Sequence, residues 1–357
     1  MTVLRALRSI FRRSPIPAAP RPVRPTSDYL HATAGGGWRW WRNGGRGFLA
    51  ATVLFLVGCG GGGDTSGAGG AGDGLQAALL TSGPVSDAGW YAGAYDGLLL
   101  VEDSLGARVS HQQTATPAEF DEAFLAYATS GYDLIFAHGF EYQDAAIRAG
   151  NQFPDVTIVV SGGGRVADNV VPLIFRLEEG SYLAGMAAAA MTRTGTVGMV
   201  GGVAIPPARG TFVAFEAGVH AVDPDIRVLE TFTGDWNDVS AAKEAAVAQL
   251  SRGADVIIHN LDAASFGVFQ AVREAAAEGR EVWAVGMNSN QNDVAPDVII
   301  GSAVIYIPEA FLETARRWQA GELGGEPVYA DIREGVIDFV FNPELMDRVP
   351  EGIVERI

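Results

Sequence analysis

The sequence predicts an α/β protein built as two doubly wound lobes. Two observations carry that prediction. From Leu75 onward, short apolar runs alternate with Ala-rich amphipathic segments of ten to fifteen residues. That alternation is the signature of right-handed βαβ units and parallel sheets. It also comes in two successive sets of about five units, which gives two lobes.

The first set places strands at Gln76–Ser82, Arg108–Gln113, Asp133–Ala137, Val156–Ser161 and Val170–Arg176. Helices fall between and after them at Tyr91–Leu105, Pro117–Thr129, Tyr142–Gln152 and Glu178–Thr192. The second set places strands at Thr196–Val200, Arg227–Thr233, Asp255–His259, Val282–Met287 and Val298–Val304. Its helices are Ala208–Val222, Asp238–Ser251, Ser265–Glu278 and Pro308–Ala320.

Open α/β sheets bind ligands beyond the carboxyl ends of their strands, so the loops that follow strands are the places to search. After the first strand, Gly83 and Pro84 break the run, and a helix begins near Trp90. Asp87 either caps that helix or accepts hydrogen bonds from ligand N–H groups, while Trp90 offers a π face. After the third strand come Gly139, which permits close backbone approach, and Phe140, which is either core or one wall of an aromatic slot. In the second half, Gly201-Gly202 leads into a helix carrying Phe212 and Phe215. Trp236 and Asp238 follow the next strand, Asn260 and Asp262 the one after, and Asn288 and Gln291 the fourth. Turns alone favour Gly, Asn, Asp and Ser. The added aromatics, repeated in both halves, point to a polar-aromatic cleft.

Several chemistries are excluded. The sequence has no G-x-x-x-x-G-K-[ST], no strand-borne G-x-G-x-x-G, no G-x-S-x-G and no plausible Ser/His/Asp set, so no enzyme, phosphate loop or cofactor is expected. The five His residues are scattered and the lone cysteine is Cys59, so no metal site is expected.

Cys59 closes Leu56-Val57-Gly58-Cys59, which matches the bacterial lipobox. It follows an apolar run from Phe48 that is short of the roughly twenty residues needed to span a bilayer. Arg39, Arg42 and Arg46 supply a basic flank. Residues 1–58 are therefore expected to be a leader and lipoprotein signal peptide, with 1–38 either disordered or upstream of the true start. Residues 59–74 form a Gly-rich flexible tether. The expected location is the cell envelope, on the periplasmic face in a Gram-negative cell, with lipid on Cys59 as the membrane anchor. The leader holds nine arginines and one aspartate, so of 25 basic and 42 acidic residues, residues 59–357 keep 16 and 41, a net −25. So acidic a body repels nucleic acid.

The tract Glu179-Gly-Ser-Tyr-Leu-Ala-Gly-Met-Ala-Ala-Ala and the tract Thr194–Gly202 resemble the basic membrane protein (BMP) family of solute-binding lipoproteins. The resemblance continues through Phe215-Glu-Ala-Gly218, Arg252-Gly-Ala-Asp-Val-Ile-Ile and Gly286-Met-Asn-Ser-Asn-Gln291, covering about 75–340. It implies a type I periplasmic-binding-protein fold, with two Rossmann-like lobes joined by a three-crossing hinge near Arg176, Ser302 and Gly324. The implied lobes are 75–176 with 303–322, and 177–302 with 323–357. It also implies docking on an ABC permease and a purine nucleoside as ligand, with a nucleobase or flavin as the alternative. A membrane-tethered sensor of the same fold is the alternative role. Asp87 aligns with the family's first-loop Asp, Trp90 takes the aromatic place and Tyr91 that of an Asn. Gly139-Phe140 matches a Gly-Phe pair, Phe212 or Phe215 matches a base-facing aromatic, and Ser302 the hinge serine. Three positions depart from the family pattern: Asn288 stands for a carboxylate, Ile305 for a lysine and Ser161 for an aspartate.

Overall fold

A computed structural model describes residues 74–357. The leader, Cys59 and nearly all of the tether lie outside the described residues. In chain order the first lobe opens with β1 (Gln76–Thr81), α1 (Trp90–Leu105), β2 (Arg108–Gln113), α2 (Pro117–Thr129) and β3 (Leu134–His138). Next are α3 (Gln143–Gln152), β4 (Thr157–Ser161), β5 (Val170–Phe175) and α4 (Leu177–Met191). Then follow β6 (Thr196–Gly201), α5 (Pro206–Val222), β7 (Arg227–Phe232), α6 (Val239–Ser251), β8 (Val256–Asn260) and α7 (Ser265–Ala277). The chain closes with β9 (Trp283–Asn288), β10 (Ile299–Ile305), α8 (Ile307–Gln319), β11 (Val328–Ala330), β12 (Ile337–Phe341) and α9 (Glu351–Val354).

Two six-stranded sheets result. The first runs β11-β5-β4-β3-β1-β2, all parallel. The second runs β12-β10-β9-β8-β6-β7, with β12 alone antiparallel. In both, the first strand of the set lies between the second and the third, so the winding direction reverses there. The first-sheet reversal falls between β1 and β3, the second between β6 and β8. Such switch points open a crevice at the carboxyl ends of the strands.

Parallel sheets are covered on both faces and read as continuous apolar runs. Here β3, β6, β9 and β10 are buried at every residue, while the edge strand β2 is half-buried or exposed. Helices α2 and α3 cover one face of the first sheet, through Phe120 and Phe124 of α2 and Ala145 and Ala146 of α3 against Leu80, Ile135 and Ile158. Helices α1 and α8 cover the other, where Phe136 stacks on Phe311 with ring centroids 4.3 Å apart. In the second lobe α6 and α7 cover one face, and α4 and α5 the other. Helices α4 and α5 touch backbone to backbone. A Cβ on Gly185 would lie 2.1 Å from the Phe215 carbonyl oxygen, and one on Gly218 2.0 Å from that of Tyr182.

The chain passes between the sheets at Arg176, at Tyr306 and over 331–336. The second and third passages differ from the expected Ser302 and Gly324. Residues 303–305 stay in the second sheet because β10 keeps pairing with β9 to Val304 and with β12 to Ile305. Gly324 and Gly325, both at positive φ, turn the chain after α8 into β11, which completes the first sheet. The passages are tied together: Arg176 N–H donates to Ala330 O, and Tyr306 N–H to Val336 O, each at 2.8 Å.

Candidate functional site

The carboxyl ends of the two sheets face a shared cleft of about 1100 Å³. Trp90, Tyr91, Gly139, Phe140, Trp236, Asn260, Asp262 and Asn288 line it, all of them sequence-predicted. Ile305 lines it as well.

Trp90 is the first residue of α1 and stacks on His138 at the end of β3, ring centroids 3.8 Å apart and 30° from parallel. Phe175 meets it edge-on at 5.8 Å. His138 Nε2 donates to the Trp90 carbonyl at 3.0 Å, and full burial pushes the imidazole down to about 3, so it is neutral. The indole is thus backed by an uncharged ring. Gly139, at φ 151°, adopts a backbone that a side chain disfavours, and a Cβ there would lie 2.5 Å from Glu141 Oε1. Across the cleft Trp236 lies over Gly202, where a Cβ would come within 2.2 Å of the indole.

The polar end gathers from the carboxyl ends of β1, β3 and β8 and from α1 and α5. Asn260 donates to Thr211 Oγ1 at 2.9 Å. Tyr91 is buried, with its hydroxyl 2.8 Å from Ser82 Oγ, and Ser82 in turn donates to Glu141. Burial, then the charges of Asp262 and Glu141, push the Tyr91 phenol up. Burial, then Asp87 and Glu141, hold the Asp262 carboxyl well above the usual carboxylate range. Glu141 itself is exposed to solvent.

Five predicted site residues lie elsewhere. Asp87 is fully buried, and its carboxylate accepts the N–H groups of Gly89, Tyr91 and Ala92 at 3.2, 2.9 and 2.8 Å. It closes the start of α1 with both oxygens engaged and does not line the cleft. Phe212 and Phe215 are core: Phe212 packs on Phe232 at 5.0 Å, and Phe215 is fully buried against α4. Asp238 is exposed and caps α6 by accepting from Ala241 N at 3.0 Å. Ser302 is fully buried, accepts from Gln291 N at 3.1 Å and donates to Asn292 Oδ1 at 2.9 Å. Ser161 is likewise buried, below the cleft.

Sequence reading missed the residues that carry the contact between lobes. The Ala88 carbonyl accepts from Ser289 Oγ at 2.6 Å and from Gln291 Nε2 at 3.2 Å. Gln291 Oε1 accepts from Met287 N at 3.0 Å and from His259 Nε2 at 2.9 Å. His259 Nδ1 accepts from Leu261 N at 3.2 Å, which fixes one neutral tautomer, and burial pushes this imidazole down to about 4. Ala88 and Asn288, the non-glycine residues at positive φ among those described, flank this contact at φ 54° and 72°. Gln291→Leu should destabilise the protein by about 2–4 kcal/mol, because each buried donor left unpaired costs about 1–3 kcal/mol. Urea unfolding checks this, and an unchanged midpoint would remove Gln291 from the network.

The description "ABC transporter substrate-binding protein PnrA-like", that of the Bmp family, matches residues 75–355. The chain belongs to the Bmp family. Bmp proteins are substrate-binding components of ABC transporters and not enzymes. This Bmp protein is 26% identical over 289 residues to a purine-binding protein of Brucella abortus, covering 79% of this chain and 81% of the relative. It is 26% identical over 267 residues to the transcriptional activator protein med of Bacillus subtilis, covering 74% and 82%. Among solved structures, an ABC transporter solute-binding protein from Aeropyrum pernix K1 superposes with a TM-score of 0.71 at 25% identity, covering 79% of this chain and 84% of that one. The Bmp fold here is that of type I periplasmic binding proteins: two α/β sheets, mostly parallel, with interleaved helices.

Proposed function

We propose that this Bmp protein is the lipid-anchored receptor of an ABC importer and captures a purine nucleoside or similar flat heterocycle in the cleft. The observation that carries the reading is the indole pair. Trp90, backed by His138, and Trp236, seated on Gly202, border one cleft from opposite lobes. Stacking a base on such a ring is worth roughly 1–3 kcal/mol. In this reading Gly139 and Phe140 border the base, while Tyr91, Asn260, Asp262 and Asn288 take its polar edge or the sugar. The Brucella abortus relative named for purine binding supports the ligand class.

Binding at the lobe interface favours the closed form. A ligand that prefers it about a hundredfold shifts the equilibrium by roughly 2.7 kcal/mol, and the closed form is the one that meets the permease. The reading keeps Cys59 as the lipid site and the Gly-rich tether as the leash, in the cell envelope and on the periplasmic face in a Gram-negative cell. Cys59→Ser should release the protein from the membrane fraction, and retention of that variant would end the anchor reading. The ligand reading is tested by thermal shift of the purified protein against nucleosides, nucleobases and flavins. No shift with any of them would overturn it.

A further inference from the structure

Two carboxyl groups at the polar end of the cleft have no cation to answer them. We propose that the cleft selects an organic cation, a positively charged heterocycle or quaternary amine held against Asp262 and Glu141. The inference rests on reading the cleft as the ligand site and adds a charge to the ligand.

Four carboxylates line the cleft: Glu141, Glu178, Glu179 and Asp262, against one cation, Arg333. Two of the four are already engaged. Glu178 meets Arg176 at 3.2 Å, and Glu179 accepts the Ile332 N–H at 2.9 Å. The other two have no cation beside them among the described residues: Ser82 donates to Glu141, and Tyr91 lies beside Asp262. Arg333 stands exposed on the 331–336 passage. Asp87 adds a third acid beneath them, its oxygens taken by backbone N–H groups. Asp262 is 6% exposed, so water disperses little of its charge. Glu141 is exposed, so the demand falls on Asp262: a carboxyl held out of water beside other acids needs a proton or a counter-charge. Among the described residues no three His, Cys, Asp or Glu side chains are placed to hold a metal ion. A proton answers the carboxyl in the free protein, and an organic cation in the cleft would take the proton's place. Trp90 supplies the matching surface, since a desolvated cation gains from an indole face.

Choline does not titrate in this range, so the pH dependence of its binding reports the protein. Asp87, Glu141, Tyr91 and Asp235 are the charged or titratable groups acting on or beside Asp262, and burial and the neighbouring acids raise its carboxyl. Cation affinity then grows as pH rises through that raised range. Stability of the free protein moves the other way. With a folded carboxyl raised above its unfolded value, stability is greatest below the ordinary carboxylate range and is lost as pH rises through the raised one.

The test uses the full-length protein and two matched pairs. One is guanosine against guanosine methylated on the imidazole ring of its base, which carries a fixed positive charge. The other is choline against its neutral tert-butyl isostere. Titration calorimetry should give at least tenfold tighter binding for the charged member of a pair. Asp262→Asn should erase that preference, Glu141→Gln should reduce it, and the pH dependence should flatten in Asp262→Asn. Equal binding, no binding, or tighter binding of the neutral member in both pairs overturns the inference. So does an undiminished preference in Asp262→Asn. Charge preference in the choline pair with silence toward both nucleosides upholds the inference and removes the purine reading.

Discussion

Gly185→Val should cost about 3 kcal/mol or more and leave little folded protein at physiological temperature. Overpacking a well-filled interior costs typically about 1–3 kcal/mol where side chains can yield. Here the obstacle is backbone: the Phe215 carbonyl oxygen lies 2.1 Å from the place of the new Cβ. The partner contact at Gly218 blocks retreat, because α4 cannot slide along α5 without driving Tyr182 O into that turn. Gly210 is the control. It also lies within α5, with nothing within 4 Å of an added Cβ. Gly210→Ala should raise stability by about 0.5–1 kcal/mol through helix propensity alone. Urea midpoints of the two variants moving in opposite directions meet the expectation. A Gly185→Val protein as stable as its parent refutes the close crossing.

Trp90→Ala should weaken the ligand about tenfold or more, taking the stacking estimate of about 1–3 kcal/mol and about 1.4 kcal/mol per tenfold. The loss belongs to the ring itself. The Asp87 carboxylate still closes the start of α1 and His138 still bonds the residue 90 carbonyl, since both partners are backbone. Trp90→Phe keeps a π face and should recover part of the affinity. Isothermal titration with whichever nucleoside or cation binds the parent decides it, and full affinity in the alanine variant removes the residue from the site.

The inner strands were legible almost to the residue because a buried parallel strand is an apolar run with a sharp polar end, and the edge strands β2 and β7 through their place between helical segments. β11 escaped: Val328-Tyr329-Ala330 is too short to form a run and follows Gly-Gly-Glu-Pro, which reads as turn. The loops bearing the cleft were legible for the same reason as the strands, since the switch-point rule names strand ends without needing coordinates. Phe212 and Phe215 misled because an aromatic on a helix declares an apolar face but not whether another element covers it. Asp87 had two readings, and the structure shows the capping geometry: its carboxylate accepts three N–H groups within five residues. The Gln291–Ala88 bond joins residues 203 apart and leaves no local pattern. The hint that existed was Gln291 itself, a polar side chain three residues beyond a fully buried strand.

Ala88 lies two residues before Trp90, so the oxygen that links the lobes and the ring that borders the cleft belong to one short stretch of chain. Its two donors, Ser289 and Gln291, come from the loop after Asn288, which also borders the cleft. Touch and grip therefore share a single part. If the lobes separate, that oxygen and both donors pass to water, and an exchanged hydrogen bond nets only about 1 kcal/mol. A clasp of that strength holds the molecule near one posture without locking it. A bound molecule pressing on the indole pulls directly on the clasp, and needs to contribute only a few kcal/mol to decide when the receptor lets go.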